Sequence, residues 1–250
     1  MTEHTSATMP DFSDTDASGV AHRIVGTTMP VLEVQLQPGQ SVISLGGEMT
    51  WLTASVSLGT QASGLGTSGL GGMFKRVLAG STIFMTEYTA TGTTGTVAFA
   101  TKMPAHIKAI SVNATQQYMV SRHGFLAGTS GITVDVGFQQ KLGVGIFSGN
   151  GFLMQRVAGE GTAWVELSGE MIEYDLAPGE VLRVHPGHVG LFEAHLALEI
   201  EMVKGIKNML FGADALFLAK LTGPGKVYLQ TLTLPGLAHA IMPYLPENNK

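Results

Sequence analysis

Cysteine is absent from this 250-residue sequence, and its absence removes several kinds of chemistry. Disulfides, thiol nucleophiles and thiolate metal ligands all require that side chain. Charge is also scarce, because Asp, Glu, Lys and Arg make up 13% of the chain, against about 25% in a typical domain. A chain with so little charge has little surface suited to water, so we expect it to cover part of its surface by forming a homo-oligomer.

Long apolar runs and targeting signals are missing as well. No run reaches the roughly 18 consecutive apolar residues that indicate a membrane-spanning helix. The first 22 residues are rich in Ser, Thr, Asp and Ala and lack the apolar core of a secretory signal. This composition predicts a disordered leader over residues 1–23. The lack of a signal and of cysteine together predict a cytoplasmic protein.

Positive charge is too sparse to indicate nucleic-acid binding. The chain has a net charge of −5, and its 14 Lys and Arg residues are scattered along the sequence. A protein that binds nucleic acid through phosphate contacts normally concentrates such residues on one face. We therefore do not expect a nucleic-acid partner.

The chain does contain an internal repeat. Phe152, Gly159, Gly161 and Trp164 reappear 64 positions later as Leu216, Gly223, Gly225 and Tyr228. An earlier segment repeats at an offset of 140, where Leu32, Val34 and Leu36 correspond to Ile172, Tyr174 and Leu176. Each copy of such a repeat is one structural unit that buries its apolar face against its neighbours. The sequence predicts three units, at about 24–105, 106–171 and 172–232, and a C-terminal helix or tail over 233–250.

The spacing of apolar residues within the repeats indicates β-strands. In residues 32–37 and 172–176 they fall on alternate positions, which is the pattern of a strand with one buried face. Pro38-Gly39 and Pro178-Gly179 then favour a turn after each strand. We expect an all-β fold with one or two short helices, in which the three units form a sandwich- or barrel-like pseudo-threefold assembly. One such helix is expected within 237–242, and apolar spacing predicts a helical turn within 203–212.

The glycine-rich segment 63–72 contains a match to the dinucleotide-binding pattern. Gly64, Gly66 and Gly69 have the spacing G-x-G-x-x-G, but that pattern binds a pyrophosphate only between a strand and a helix of a βαβ unit. The surrounding sequence lacks the strand–helix–strand alternation of such a unit and the acidic residue expected about 20 positions later. We therefore interpret the segment as a glycine loop and expect no cofactor.

A group of histidines suggests a metal site. His185, His188 and His195 lie close together with Glu193, and neutral imidazole is the commonest protein metal ligand. The preceding residues 179–185 resemble the cupin signature, although the second ligand position of that signature is Gly187 here. The equivalent turn of the first unit, residues 45–48, contains no histidine. Surface histidines are therefore favoured, and a metal-dependent cupin-like enzyme using all three is the alternative.

No arrangement of residues indicates nucleophilic catalysis. A G-x-S-x-G elbow, which exposes an attacking hydroxyl at a strand-to-helix turn, is missing from the sequence. The carboxylates within the repeats occupy the polar phase of strands, as expected for solvated residues. We therefore predict no catalytic residues and a protein that is not an enzyme.

Several longer segments resemble one protein family. The resemblance to the altered-inheritance-of-mitochondria protein 24 family covers about residues 24–232 and is carried by segments 149–154, 176–180, 186–188, 203–212 and 216–230. It implies a fold similar to the trp RNA-binding attenuation protein, whose β-sandwich subunits assemble into rings. Eukaryotic members of the family are mitochondrial and are linked to inner-membrane architecture, whereas bacterial members have no established activity. The resemblance implies no catalytic residues.

These observations together favour a non-enzymatic scaffold or binding module that acts as a homo-oligomer, with an unidentified ligand. A protein partner and attachment to a membrane surface stay open. The alternatives are the cupin-like enzyme and an RNA-binding ring, the latter resting on analogy of fold alone.

Overall fold

The computed structural model describes residues 12, 14–15, 19–62, 84–140, 151–202 and 217–245. Twenty strands lie within these ranges, and the first two precede the repeats: β1 (Asp14–Thr15) and β2 (Ala21–Val25). The remaining eighteen strands fall into three consecutive groups of six, which we call units 1, 2 and 3. The predicted glycine loop at 63–72 and the helical turn at 203–212 lie outside the described residues.

Each unit contains its six strands in one order along the chain. Unit 1 consists of β3 (Val31–Leu36), β4 (Ser41–Leu45), β5 (Trp51–Leu52), β6 (Val56–Ala62), β7 (Phe84–Ala90) and β8 (Gly95–Ala100). Unit 2 consists of β9 (Ala105–Val112), β10 (Tyr118–Ser121), β11 (Phe125–Thr129), β12 (Ile132–Gln140), β13 (Phe152–Gly159) and β14 (Gly161–Ser168). Unit 3 consists of β15 (Met171–Leu176), β16 (Val181–Val184), β17 (Val189–Glu193), β18 (Ala197–Met202), β19 (Phe217–Thr222) and β20 (Gly225–Gln230).

The helical elements are short. A 3-10 turn spans Pro186–His188, helix α1 spans Leu234–Ile241, and a second 3-10 turn spans Met242–Tyr244. Thr233 precedes α1, and its side-chain oxygen accepts a hydrogen bond from the Gly236 amide at 3.1 Å, the usual way to satisfy a first-turn donor. None of the α1 side chains is buried. In the described part of the chain, no helix is both long and apolar enough to cross a membrane.

All three units use the same antiparallel pairings. In each unit the first and third strands pair with the sixth, and the second and fourth strands pair with the fifth. The register also agrees between units 2 and 3. Thr133 pairs with Ala158, and the residues 64 positions later, Ala197 and Thr222, pair with each other. The units therefore share strand order, partners and register.

Neighbouring units are joined by one further pairing, between the second strand of one unit and the third strand of the next. β4 of unit 1 pairs with β11 of unit 2, and β10 of unit 2 pairs with β17 of unit 3. These two junctions produce two six-stranded sheets, with a five-stranded and a three-stranded sheet at the two ends. The prediction of an all-β fold is confirmed, and the described strands form open antiparallel sheets without a closed barrel.

The first strand of unit 1 shows how the alternating pattern produces the core. Leu32, Val34 and Leu36 are fully buried, while the residues between them are half-buried. Burying one such side chain contributes about 1.5–3 kcal/mol. The turn after this strand contains Gly39 with φ +86°, and the equivalent Gly179 has φ +79°. Both glycines adopt the left-handed backbone that the sequence predicts, which only glycine adopts at little cost.

The equivalent strand of unit 3 corrects one expectation. The alternating pattern predicts that Ile172 and Tyr174 face the core, but they are 44% and 42% exposed, and only Leu176 of that set is buried. β15 is the edge strand of its sheet, whereas β3 is covered on its edge by β2. The position of the strand in its sheet therefore overrides the apolar pattern.

The N-terminal boundary is also earlier than the sequence suggests. The predicted leader, 1–23, overlaps β2, which begins at Ala21 and pairs with β3. His22 is buried and its ring lies 5.1 Å from that of Trp164, edge to face. Arg23 forms an ion pair with Glu33 on β3. These tertiary contacts order residues whose local sequence is polar.

Candidate functional site

Two of the three histidines considered as metal ligands are hydrogen-bonded to nearby backbone carbonyls. His188 Nδ1 lies 2.8 Å from the Gln230 carbonyl oxygen. His195 Nε2 lies 2.9 Å from the Pro224 carbonyl oxygen. A ring nitrogen that meets a carbonyl must donate its proton, so it offers no lone pair to a metal at that atom.

The third histidine, His185, lies close to His188. The rings of His185 and His188 are 5.7 Å apart between centroids, and His185 Nδ1 accepts a hydrogen bond from the Gly187 amide at 3.3 Å. Burial, and secondarily the neighbouring His188, lowers the pKa of His185. Glu193 accepts a hydrogen bond from the Lys226 amide at 2.9 Å. Among the described residues, no three His, Asp or Glu side chains form a group that could hold a metal ion.

A cavity of about 310 Å³ lies where units 2 and 3 meet. Its walls come from the β10–β11 turn, the start of β13, the end of β14, the turn before β17 and the start of α1. The apolar part of the lining consists of Phe152, Leu153, Pro186, Val189, Leu234 and Pro235. The polar part includes Ser121, Arg122, His123, Glu166, Ser168 and Gln230. A mainly apolar cavity with a few polar groups is the usual composition of a small-molecule site.

Glu166 is the unusual residue of this cavity. Its Oε2 atom is buried and has no hydrogen-bond partner among the described residues. Burial, and secondarily the nearby Glu48, raises the pKa of Glu166 to about 7 against an opposing effect of Lys102. Near neutral pH the carboxyl group is therefore present in both its neutral and its charged form.

The repeat shows which group occupies the equivalent position in unit 3. The position equivalent to Glu166 in unit 3 is Gln230, 64 residues later. There the side-chain amide donates to the Gly187 carbonyl at 2.9 Å, and its oxygen accepts from the Ser168 amide at 3.1 Å. Gln230 is thus satisfied on both atoms by the protein itself. In unit 2 a carboxyl group occupies the same place, and its second oxygen is left for another donor.

Two basic side chains lie on the same cavity wall. Arg122 and His123 belong to the turn between β10 and β11 and line the cavity. Burial lowers the pKa of His123, and so do the charges of Arg122 and Lys102, against an opposing effect of Glu48. Lys102 and Glu48 form an ion pair of 2.7 Å. The cavity therefore combines a carboxyl group that tends to be protonated with an imidazole that tends to be neutral.

The sequence alone does not distinguish Glu166 from the other strand carboxylates. It occupies an ordinary polar position of β14, where solvation is the reasonable expectation. The usable signal is the repeat, since a carboxyl group replaces an amide at equivalent positions of two units. Two residues of the histidine turn considered as a metal site, Pro186 and Gly187, line the cavity.

Comparison with known proteins agrees with the fold described above. A Streptococcus pyogenes protein known by its X-ray structure superposes with a TM-score of 0.71, at 24% sequence identity, over 90% of this chain and 100% of that one. An uncharacterized protein of Streptococcus pyogenes serotype M6 is 27% identical over 227 residues, which cover 88% of each chain. The first likeness concerns the fold alone, and the second extends over nearly the whole sequence.

The family assignment rests on the match to a family model. The family model described as "Mitochondrial biogenesis AIM24" matches residues 22–232. This range contains all three six-strand units, so the match covers the repeated architecture as a whole. The resemblance found in the sequence segments is thereby confirmed, and the chain belongs to the AIM24 family.

Proposed function

We propose that this protein is a non-enzymatic, oligomeric scaffold and binding module, and that the cavity between units 2 and 3 is its ligand site. The observation that supports the ligand site most directly is the buried Oε2 atom of Glu166, which no described residue satisfies. A buried polar atom without a partner costs about 1–3 kcal/mol. A ligand that donates a hydrogen bond to this atom recovers that cost.

The lining of the cavity indicates the class of ligand. Six apolar side chains line the cavity together with the carboxyl group, and the volume of about 310 Å³ is at the small end of ligand cavities. An organic amine with a compact apolar body matches both features, because its ammonium group pairs with the carboxylate while the body displaces water. An organic acid would instead meet the buried carboxyl oxygen with a like charge.

The charge of Glu166 gives the proposed binding a defined pH dependence. An ammonium ligand prefers the carboxylate, and the raised pKa of about 7 means that this form is populated only as the pH increases through that value. The affinity for an amine should therefore increase from pH 6 to pH 8. The same ligand should show no such increase with Glu166→Gln, whose side chain does not titrate.

Three probes of one shape test the site: benzylamine, benzyl alcohol and benzoate. We expect benzylamine to raise the thermal midpoint of the full-length protein and to bind in calorimetry, and benzoate to have no effect. Glu166→Gln should abolish the benzylamine effect, whereas Glu160→Gln, which changes an exposed carboxylate, should preserve it. Benzoate binding that depends on Arg122, or benzylamine binding that Glu166→Gln leaves unchanged, would contradict the proposed site.

The geometry supports the other two functions less well. A cupin-like enzyme requires His185, His188 and His195 to converge on one ion, but two of these side chains donate to separate backbone carbonyls. An RNA-binding ring requires a cluster of positive charge, and the chain has a net charge of −5. No contact of the described residues favours either function over ligand binding.

A second candidate function, attachment to a membrane surface, has one observation in its favour. The C-terminal segment exposes a run of large apolar side chains that includes Ile241, Met242, Tyr244 and Leu245. Such side chains bind the interface of a bilayer when they lie on one surface. Sedimentation with neutral phosphatidylcholine vesicles tests this function, with Ile241→Ser/Met242→Ser as the matched variant. Equal sedimentation of the two proteins would exclude this segment as the anchor.

A further inference from the structure

The first strands of the three units differ in whether a further strand covers their outer edge. Each first strand pairs with the sixth strand of its own unit, namely β3 with β8, β9 with β14 and β15 with β20. β2 pairs with the other edge of β3. In the described part of the chain, no strand lies on the corresponding edge of β9 or β15. The pairing of β2 with β3 therefore shows what the outer edge of a first strand can bind.

Backbone hydrogen bonds show which groups face the open edge of β15. The Thr231 amide donates to the Glu170 carbonyl at 3.1 Å, next to the first pair of β15 and β20. Alternate residues of an antiparallel strand direct their N–H and C=O groups to the same edge, so the residues at even positions of β15 face β20. Those at odd positions, Met171, Glu173 and Asp175, direct their backbone groups outward.

β3 directs its backbone groups in the same way. The Thr101 amide donates to the Pro30 carbonyl at 3.1 Å, so the even positions of β3 face β8 and its odd positions face β2. Among the odd positions, Glu33 lies opposite Arg23 of β2. Glu173 is the residue 140 positions after Glu33. β15 therefore offers an outer strand the same donors and acceptors that β3 offers to β2.

Large apolar side chains lie on β15 beside this open edge. Ile172 is 44% exposed and Tyr174 is 42% exposed. On β9 the exposed side chains are the small residues Ala109 and Ser111. An exposed apolar strand edge binds another strand readily, so β15 is better suited than β9 to receive one.

The charged face of β15 indicates what kind of strand fits. Lys226 forms ion pairs with both Glu173 and Asp175, so one ammonium group serves two exposed carboxylates. In unit 1 the covering strand supplies a cation to the equivalent carboxylate, since Arg23 Nε donates to Glu33 Oε2 at 2.6 Å. A strand with a basic residue opposite Glu173 would reproduce this arrangement and balance the second carboxylate.

We propose that the open edge of β15 binds an extended segment of a partner protein, which joins the sheet as an antiparallel strand in the way that β2 joins β3. The segment carries Lys or Arg opposite Glu173 and apolar residues opposite Ile172 and Tyr174. Main-chain hydrogen bonds give such a segment its affinity, and alternate side chains give it specificity. The proposal goes beyond the ligand cavity, because none of the described residues that line the cavity belongs to β15.

A capped peptide with the sequence of residues 19–26 serves as the probe, because it contains the segment that covers β3. In the proposed register its Arg23 lies opposite Glu173. We expect this peptide to bind the full-length protein in calorimetry. The Arg23→Glu peptide should bind at least about fivefold more weakly, because it loses an ion pair and places like charges opposite each other. Absence of binding at millimolar peptide, or equal binding of the two peptides, would overturn the proposal.

Proline variants of the full-length protein test which edge the peptide occupies. Glu173→Pro removes an outward-facing N–H and leaves the ladder to β20 in place, so it should abolish binding of the wild-type peptide. Glu173→Ala keeps the backbone donor and should bind more weakly but measurably. Ala109→Pro, at the equivalent position of β9 64 residues earlier, should leave binding unchanged. Retained binding by Glu173→Pro, or its loss in Ala109→Pro, would overturn the assignment to β15.

Amide exchange of the wild type, measured by NMR, requires no folded proline variant. Without peptide, the outward-facing amides of Glu173 and Asp175 should exchange rapidly and the Tyr174 amide slowly. Saturating peptide should slow the first two at least about tenfold and leave Tyr174 unchanged. Exchange that the peptide does not alter would contradict strand addition. Slow exchange at Glu173 without peptide, together with the mass of two chains, would assign the edge to a second copy and overturn the partner segment.

Discussion

Units 2 and 3 have the same six strands and the same pairings, yet their second strands have different surroundings. β10 is paired on both edges, with β13 and β17, whereas the described part of the chain pairs β16 on one edge only, with β19. Val120 of β10 is fully buried, and the equivalent Val184 is slightly exposed. The difference shows that the position of a unit among the three consecutive units determines how much of its surface is covered. The strand pattern determines only the pairing within the unit.

The first strands of units 1 and 3 provide the strongest test of this comparison. Leu32 and Ile172 occupy equivalent positions, but Leu32 is fully buried and Ile172 is 44% exposed. We expect Leu32→Ala to lower the free energy of unfolding by about 2–5 kcal/mol, because it removes packed atoms and leaves a cavity. Ile172→Ala should change it by no more than about 0.5 kcal/mol. Urea denaturation of both variants measures the difference, and equal losses would show that β15 is covered in solution.

Glu166 and Gln230 give a second comparison between equivalent positions. Burial raises the pKa of Glu166 to about 7 in the folded protein, so folding favours its protonated form. Glu166 lowers the free energy of unfolding least below about pH 4.5. The loss grows as the pH rises to about 7 and reaches at most about 3 kcal/mol.

The matching variant makes this pH effect measurable. Glu166→Gln should be more stable than the wild type at pH 8, and this advantage should shrink toward pH 5. The free energy of unfolding of both proteins, measured across this range, tests the shift. Parallel pH profiles would mean that the carboxyl group titrates normally.

Proline substitutions at equivalent positions of β10 and β16 distinguish a paired strand edge from an open strand edge. Met119→Pro should lower the free energy of unfolding by at least about 1–3 kcal/mol, because it leaves a buried partner of the ladder unsatisfied. Arg183→Pro should cost the isolated molecule much less, since its N–H faces an edge that no described strand occupies. Denaturation at low protein concentration, where assembly does not contribute, compares the two. A similar cost for both would imply that β16 is paired within the molecule.

The smallest expected difference concerns two equivalent carboxylates. Glu33 pairs with Arg23 in a partly buried contact, whereas Glu173 pairs with Lys226 at a more exposed position. The Lys226 side chain, by hydrogen bonding, lowers the pKa of Glu173. This stabilisation is present at neutral pH and is lost as the pH falls through that lowered pKa. Glu173→Gln should cost less than about 1 kcal/mol.

The dependence of stability on salt concentration distinguishes the exposed Glu173–Lys226 ion pair from the more buried Glu33–Arg23 pair. High salt should remove the effect of Glu173→Gln, because exposed charges are screened. The effect of Glu33→Gln should persist to a greater degree. The melting temperatures of both variants, measured at about 0.05 M and about 1 M NaCl, test which ion pair depends more on salt. These two concentrations give weak and strong screening of exposed charges. A larger salt effect at Glu33 would reverse it.

Individual strands and turns were predictable where alternating residues and turn glycines act locally. The strands at 32–36 and 172–176 and the positive φ angles of Gly39 and Gly179 follow from such patterns. The exposure of Tyr174 did not follow, since it depends on which strand lies beside β15. Glu166 did not follow either, because its burial is produced by two units that meet in space. An offset between repeats identifies equivalent residues, but it does not state which of them the neighbouring unit covers.

The junction between units also sets a rule for how such a chain can change in length. Because a second strand always meets a third strand, a row of units has a polarity, and its two ends stay the same whether the row contains three units or four. Insertion or deletion of a whole unit therefore preserves the chemistry of both termini of the row. Loss of a single strand would expose an edge of a different kind. Duplication in whole units is the path of change that this architecture permits most easily.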